Sequence, residues 1–198
     1  MFSVNIAPIA QLDRVSVYET GGCTFESCWA RIHPFESYVV KSMITEFRSH
    51  EYYMRLAITE AEKAFKSDEV PVGVIIIYEN SIIAKAHNQR ELLSDPTAHA
   101  EMIAITQASA YLQNWRLSNT TVYVTLEPCT MCAGALVQAR VKNLVYGTKD
   151  EKYGACESIV NLVNDPHLNH RLNVVSGVLE NECSLLLKQF FLEKCRDD

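Results

Sequence analysis

From Ser49 onward, apolar residues recur with the periods of regular structure. Tyr53, Met54, Ala57, Ile58, Ala61, Ala64 and Phe65 share one face at a helical period, and Ser49 suits the N-cap, so a helix is expected there. Val72 to Tyr78 is a near-continuous β-branched run and predicts a strand covered on both faces. Glu79-Asn80 turns the chain into a second strand, Ser81 to His87. A polar loop with Asp95-Pro96 leads to a helix from about Ala98 to Leu112. Thr121 to Leu126 is the next strand. Pro128 is expected at the first position of a helix that runs to about Arg140. Asn143 to Gly147 and Arg171 to Ser176 are further strands, and Glu182 to Lys194 a closing helix. Strands that alternate with helices predict one α/β domain, a single sheet with helices on both faces.

The first 42 residues lack this order. Gly21-Gly22, two prolines and two cysteines break them, with no sustained period of 3.6 or 2. Gln11-Leu12-Asp13-Arg14 can be back-translated as a tRNA D-arm and Thr24-Phe25-Glu26-Ser27 as a T-arm, in the order of a tRNA gene. Residues 1–42 are therefore expected to be a non-native or disordered extension, read from a start placed too far upstream. Met43 would be the true start and 43–198 the domain. The alternative is a genuine, loosely structured extension.

Composition is that of a globular protein, with 48% hydrophobic and 21% charged residues. No apolar run approaches the ~18 residues of a membrane span. With no basic start before an apolar stretch, a cytoplasmic protein is expected. A net charge of −6 argues against broad, non-specific nucleic-acid binding while leaving room for one basic patch. The seven cysteines are odd in number and irregular in spacing, unlike a disulfide framework. Only Cys129 and Cys132 have a metal-like spacing.

Two segments carry candidate chemistry, His99-Ala100-Glu101 and Pro128-Cys129-Thr130-Met131-Cys132. Thiolates and imidazole nitrogen are preferred Zn²⁺ ligands, and C-x-x-C at a helix start brings both sulfurs to one point. His99, Cys129 and Cys132 give three ligands, leaving one position for water, as in a catalytic zinc site. Glu101 beside that water would shuttle the protons of a deamination. Residues two apart point to different sides of a helix, so His99 must lie in an irregular first turn, as Pro96 permits. Taken singly, the C-x-x-C could be redox-active or incidental.

H-A-E followed by P-C-x-x-C resembles the cytidine-deaminase-like superfamily. Glu69-Val70-Pro71-Val72-Gly73, Asp95-Pro96-Thr97-Ala98-His99-Ala100-Glu101, Asn114-Trp115-Arg116-Leu117 and Val122 to Cys129 look like the bacterial tRNA-specific adenosine deaminases. The resemblance covers about Met43 to the C-terminus. It implies a three-layer α/β/α sandwich around a five-stranded mixed sheet, one zinc per subunit, a homodimer, and a tRNA anticodon stem-loop as partner. The implied reaction is adenosine to inosine at the wobble position.

By the same resemblance Asn88 would contact the flipped-out nucleotide, while the backbone at Ala100 and the walls Val70 and Leu126 would hold the base. Asp150 would lie near a ribose hydroxyl, and Lys149 and Lys152 near phosphates. His167, Asn169, Arg171, Phe190 and Phe191 are weaker candidates for the RNA surface, with helix packing as the alternative for the two phenylalanines. The chain departs from the family in lacking a longer basic tail and in carrying Glu157 where a smaller residue is usual. One rival reading is a free nucleoside, nucleotide or guanine deaminase of the same superfamily. The other is an inactive binding module with a structural zinc, against which the intact Glu101 stands.

Overall fold

A computed structural model describes residues 49–197. The segment 1–42 and the expected start at Met43 lie outside the described residues. Helix α1 (His50–Lys66) begins as expected at Ser49, whose hydroxyl accepts from the Tyr52 N–H at 3.3 Å. Strands β1 (Gly73–Tyr78) and β2 (Ser81–His87) form a hairpin. Glu79 and Asn80, at φ 47° and 62°, supply the two left-handed residues of a tight hairpin turn. A four-residue helix α2 (Arg90–Leu93), not expected from the sequence, follows. Then come α3 (Ala100–Leu112), β3 (Thr120–Leu126), α4 (Thr130–Gln138), β4 (Asn143–Thr148), β5 (Asn173–Val175) and α5 (Glu180–Asp197).

The strands form one five-stranded sheet in the order β2-β1-β3-β4-β5. β1 runs antiparallel to β2 and β3, whereas β3, β4 and β5 are parallel, so the sheet is mixed. Alternation along the strands divides the core in two. Ile75, Ile77, Tyr123 and Val145 pack with Tyr53, Met54 and Ala57 of α1 and Cys183 of α5. Val74, Ile76, Val122, Val124, Leu144 and Tyr146 pack with alanines of α3 and with Ala133, Leu136 and Val137 of α4. The result is the expected three-layer α/β/α sandwich, with β1 covered on both faces. Among the described residues no helix is long and apolar enough to cross a membrane.

Several element ends shift by one to three residues from the sequence reading, the closing helix reaching Glu180–Asp197, and three of the differences have a structural reason. Pro128 is not the first helical residue of α4; it precedes the N-cap, Cys129, and its carbonyl accepts from the Ala155 N–H at 2.9 Å. Helix α3 starts two residues late, which makes His99 its N-cap. β5 shrinks to three residues because it is an edge strand paired only with β4.

Helix α1 lies unusually close to β1 at Gly73. A Cβ there would stand 2.0 Å from the Ala57 carbonyl oxygen and 2.4 Å from the Ala61 nitrogen. Both atoms belong to helix backbone, so relief requires moving α1 as a unit. Gly73→Ala is expected to cost about 3 kcal/mol, the upper range for overpacking, and to lower Tm by roughly 10 °C. A thermal melt within about 2 °C of the parent would show that α1 shifts freely on the sheet.

Candidate metal centre and active site

Two helix starts meet at one point. His99, the N-cap of α3, has extended backbone (φ −71°, ψ 150°), as has Cys129, the N-cap of α4 (φ −70°, ψ 174°). The turn before His99 is set by Asp95, whose Oδ1 accepts from both the N–H and the hydroxyl of Thr97 at 2.7 Å. Cys132 follows Cys129 by three residues, so both sulfurs face the same side. His99 Nδ1 lies 3.7 Å from Cys129 Sγ and 3.6 Å from Cys132 Sγ. All three atoms fall within 4.8 Å of one another. A tetrahedral ion with bonds of about 2.3 Å to sulfur and about 2.0 Å to nitrogen would separate S and N by about 3.5 Å. Donor types and spacing therefore suit a metal held by these three side chains.

Without a metal, the two thiols share one proton unequally. A hydrogen bond from Cys132, opposed by burial and aided by His99, lowers the Cys129 thiol to about 4. Cys132 moves the opposite way, because it keeps the proton shared with Cys129 and is buried. Negative charge thus sits on the sulfur at the helix N-terminus, where the dipole favours it. Glu101, in the first turn of α3, is 4% exposed. Burial pushes its carboxyl up to about 7, against the opposing hydrogen bond of the helix's own N–H. Such a group takes and gives protons at neutral pH.

Ala100 is fully buried, and Val70 and Leu126 are half-buried against the same core. Asn88 is nearly buried, its Nδ2 donating to Glu69 Oε2 at 3.0 Å and its backbone N–H to the Val72 carbonyl at 3.1 Å. Glu69 Oε1 also accepts from the Leu92 N–H at 2.8 Å. An ionised carboxylate only accepts, so Glu69 fixes the Asn88 amide with its nitrogen inward.

A second buried acid, Glu127, shapes the loop after β4. Its Oε1 accepts from the N–H groups of Cys156 (3.0 Å), Glu157 (2.7 Å) and Ser158 (3.0 Å), and its Oε2 from that of Asp150 (3.1 Å). The Ser158 hydroxyl donates to Oε2 as well. Burial alone would raise this carboxyl, but the hydrogen bonds from Ser158, Glu157 and Asp150 outweigh it and hold it below its ordinary value. Gly154 makes the approach possible, since a Cβ there would stand 2.5 Å from the Glu127 carboxylate. The same residue forms a β-bridge with Cys129, so the loop leans directly on the start of α4. Sequence reasoning singled out neither Glu69 nor Glu127. The available signal was an acid adjoining an apolar run and a proline-containing motif, which burial would require to be partnered.

The other expected contacts divide. Lys149 and Lys152 are exposed, and Lys149 Nζ is paired with Glu157 Oε2 at 3.0 Å. Asp150 Oδ1 is engaged by the N–H groups of Lys152 (2.9 Å) and Tyr153 (3.1 Å), so it shapes the turn. Asn169 accepts from Arg140, His167 pairs with Asp165 at 2.8 Å, and Arg171 is exposed. Phe190 is buried in an edge contact with Phe65 and belongs to packing, whereas Phe191 is 52% exposed. Phe191 lines a groove of about 530 Å³ with Thr148, Lys149, Leu187 and Lys188.

Residues 48–194 match the MafB19-like deaminase family. The tRNA-specific adenosine deaminase of Bacillus subtilis is 49% identical over 143 residues, covering 72% of this chain and 89% of its own. The chain belongs to the tRNA-specific adenosine deaminase family. A solved tRNA:A34 deaminase, described in terms of A-to-I editing at the wobble position, superposes on this member of the family with a TM-score of 0.67. It is 43% identical, over 69% of this chain and 99% of that one. The guanine deaminase of Nitrosomonas europaea superposes with a TM-score of 0.62 over 71% of this chain and 83% of that one. At 22% identity that likeness carries the fold alone.

A hydrogen bond to a charged acceptor contributes about 1.5–3 kcal/mol. Glu127→Gln is therefore expected to speed amide exchange at Cys156, Glu157 and Ser158 by at least about tenfold. Unchanged protection would mean that packing holds the loop.

Proposed function

We propose that this chain hydrolyses adenosine to inosine and ammonia at the wobble position of a tRNA anticodon, using one zinc ion held by His99, Cys129 and Cys132. The observation that carries the reading is the joint placement of the three candidate ligand atoms with a buried Glu101 in the first turn of the helix that His99 caps. When bound, zinc with three protein ligands supplies a Lewis acid that makes water nucleophilic near neutral pH. Glu101 takes a proton from the attacking water and places one on adenine N1 as the water oxygen bonds to C6. It then takes the remaining proton of the new C6 hydroxyl and delivers it to the amine, so that the C6–N6 bond breaks and ammonia leaves. Asn88, held by Glu69, orients the nucleotide, while Val70, Leu126 and the Ala100 backbone enclose the base. The target base must leave its stack to reach this pocket, which costs least in a single-stranded loop.

Lys149, Lys152, Lys188 and exposed Phe191 supply the charge and stacking surface for the anticodon arm. The reading includes a cytoplasmic homodimer, for which exposed Leu92, Leu93, Ile159 and Val160 offer apolar surface.

An anticodon stem-loop with adenosine at the wobble position should yield inosine, detected by sequencing or by mass. Free adenosine, cytidine and guanine should not turn over detectably. Efficient conversion of a free base or nucleoside would move the chain to the rival reading.

Metal and proton transfer should separate by mutation. Glu101→Gln keeps stoichiometric zinc and the parent Tm while losing about 10²–10⁴-fold in turnover. Cys132→Ser loses zinc and melts at a lower temperature. A near-parental rate for Glu101→Gln would remove that residue from the mechanism.

A further inference from the structure

The Lys149–Glu157 ion pair sits at the rim of the Phe191 groove, beside a loop whose course Glu127 fixes. Lys149 and Lys188 are the two cationic side chains that line the groove, and Lys149 Nζ stands 3.0 Å from Glu157 Oε2. Two observations keep Glu157 there, and a third holds the backbone beside Lys149. Its N–H donates to the buried Glu127 Oε1 at 2.7 Å, which pins its backbone. Its other carboxylate oxygen accepts from the Ser176 hydroxyl at 3.5 Å. The same Glu127 carboxylate holds the Asp150 N–H, one residue past Lys149, so both partners' backbones are tied to one group.

We propose that Glu157 is an affinity-setting residue that competes with an RNA phosphate for Lys149. The inference rests on the reading that this surface meets an anticodon arm. With side chains 54% and 37% exposed, the pair is accessible to solvent and screened, so a phosphate displaces the carboxylate at small cost. Once displaced, the carboxylate remains close by because its backbone is pinned. Its charge then repels the phosphate that took its place. Both effects weaken RNA binding, and neither touches the reacting atoms. A chain of net charge −6 thereby keeps one of its few groove cations partly neutralised until a phosphate is delivered by correct docking of the anticodon.

The test compares full-length parent, Glu157→Gln, Lys149→Gln and the double variant on one anticodon stem-loop with a wobble adenosine, across a series of salt concentrations. Glu157→Gln should lower KM by about two- to fivefold, with the change in KM and not in kcat. Log binding against log salt should steepen, by no more than about 0.7, because in the parent the displaced carboxylate takes back part of the cation that the phosphate releases. In the Lys149→Gln background, removing Glu157 should leave little of this gain. The inference is overturned if Glu157→Gln leaves KM and the salt slope unchanged, or weakens binding because the pair instead pre-orients Lys149. It is equally overturned if the gain persists in full without Lys149. A purely structural role would lower Tm and leave the salt slope alone. If the parent fails to deaminate the stem-loop at all, the functional reading falls as well; if it deaminates normally, a null result for Glu157 removes only this inference.

Discussion

To hold a metal, three candidate ligand atoms drawn from two helices would have to stay within a few tenths of an ångström of their positions, and much of the fold bears on that placement. His99 Nδ1 and the two sulfurs come from the caps and first turns of α3 and α4, which pack on the same face of the sheet. Alanines make that approach possible: Ala100, Ala104 and Ala108 on α3 and Ala133 on α4 are fully buried. Longer side chains there would lift the helices off the strands and open the ligand spacing. On the opposite face α1 presses against Gly73, so β1 is gripped from both sides. The candidate metal centre is thus placed by backbone proximity more than by any contact of its own.

Buried acids are the second theme, and the differences among them locate the reactive one. Glu60, Glu69, Glu101 and Glu127 are each at most 5% exposed. Glu60 meets Lys63 at 2.8 Å and faces His87. Glu69 is met by an amide side chain and a backbone N–H, and Glu127 by four backbone N–H groups and a hydroxyl. At Glu127 these donors outweigh burial and hold the carboxyl below its ordinary value. Around Glu101 the opposing helix N–H does not outweigh desolvation, and the Cys129 charge adds to it, so its carboxyl rises towards neutrality. Among the described residues three buried acids thus have polar partners in other parts of the fold, and Glu101 is the one whose carboxyl is raised.

Much of this was legible in the sequence because it depends on local pattern. The Tyr53-to-Phe65 stripe, the Glu79-Asn80 turn and the run into β1 follow from period and turn chemistry, and each element appears where expected. H-A-E and P-C-x-x-C pointed to the ligand set because metal chemistry restricts residue type and spacing together. Hidden features were those created by tertiary return of the chain. Glu127 acquires its donors from residues 150–158, and nothing in its immediate neighbours announces them. The role of Pro128 was misjudged by two positions, because its carbonyl is recruited by Ala155 and the helix starts only after the cap. Phe190 and Phe191 are adjacent in sequence, yet the helix turns one ring onto Phe65 and the other into the open groove.

Under the proposed reading, recognition of an RNA by an acidic protein has its own consequence. At net −6 the long-range field repels a polyanion, so little association comes from steering. Affinity must then come from short-range groups: a few lysines around one groove, an exposed aromatic ring, and enclosure of one extruded base. Stacking and base enclosure depend little on salt, whereas the lysine contacts depend on it strongly. Such a surface favours RNAs that can present an unstacked base and flanking phosphates together. A duplex offers the phosphates without the base, and a free nucleoside offers the base without the phosphates. Weak general attraction combined with a rigid pocket is therefore a physical route to choosing a loop over other nucleic acid, and it operates through discrimination more than through tight binding.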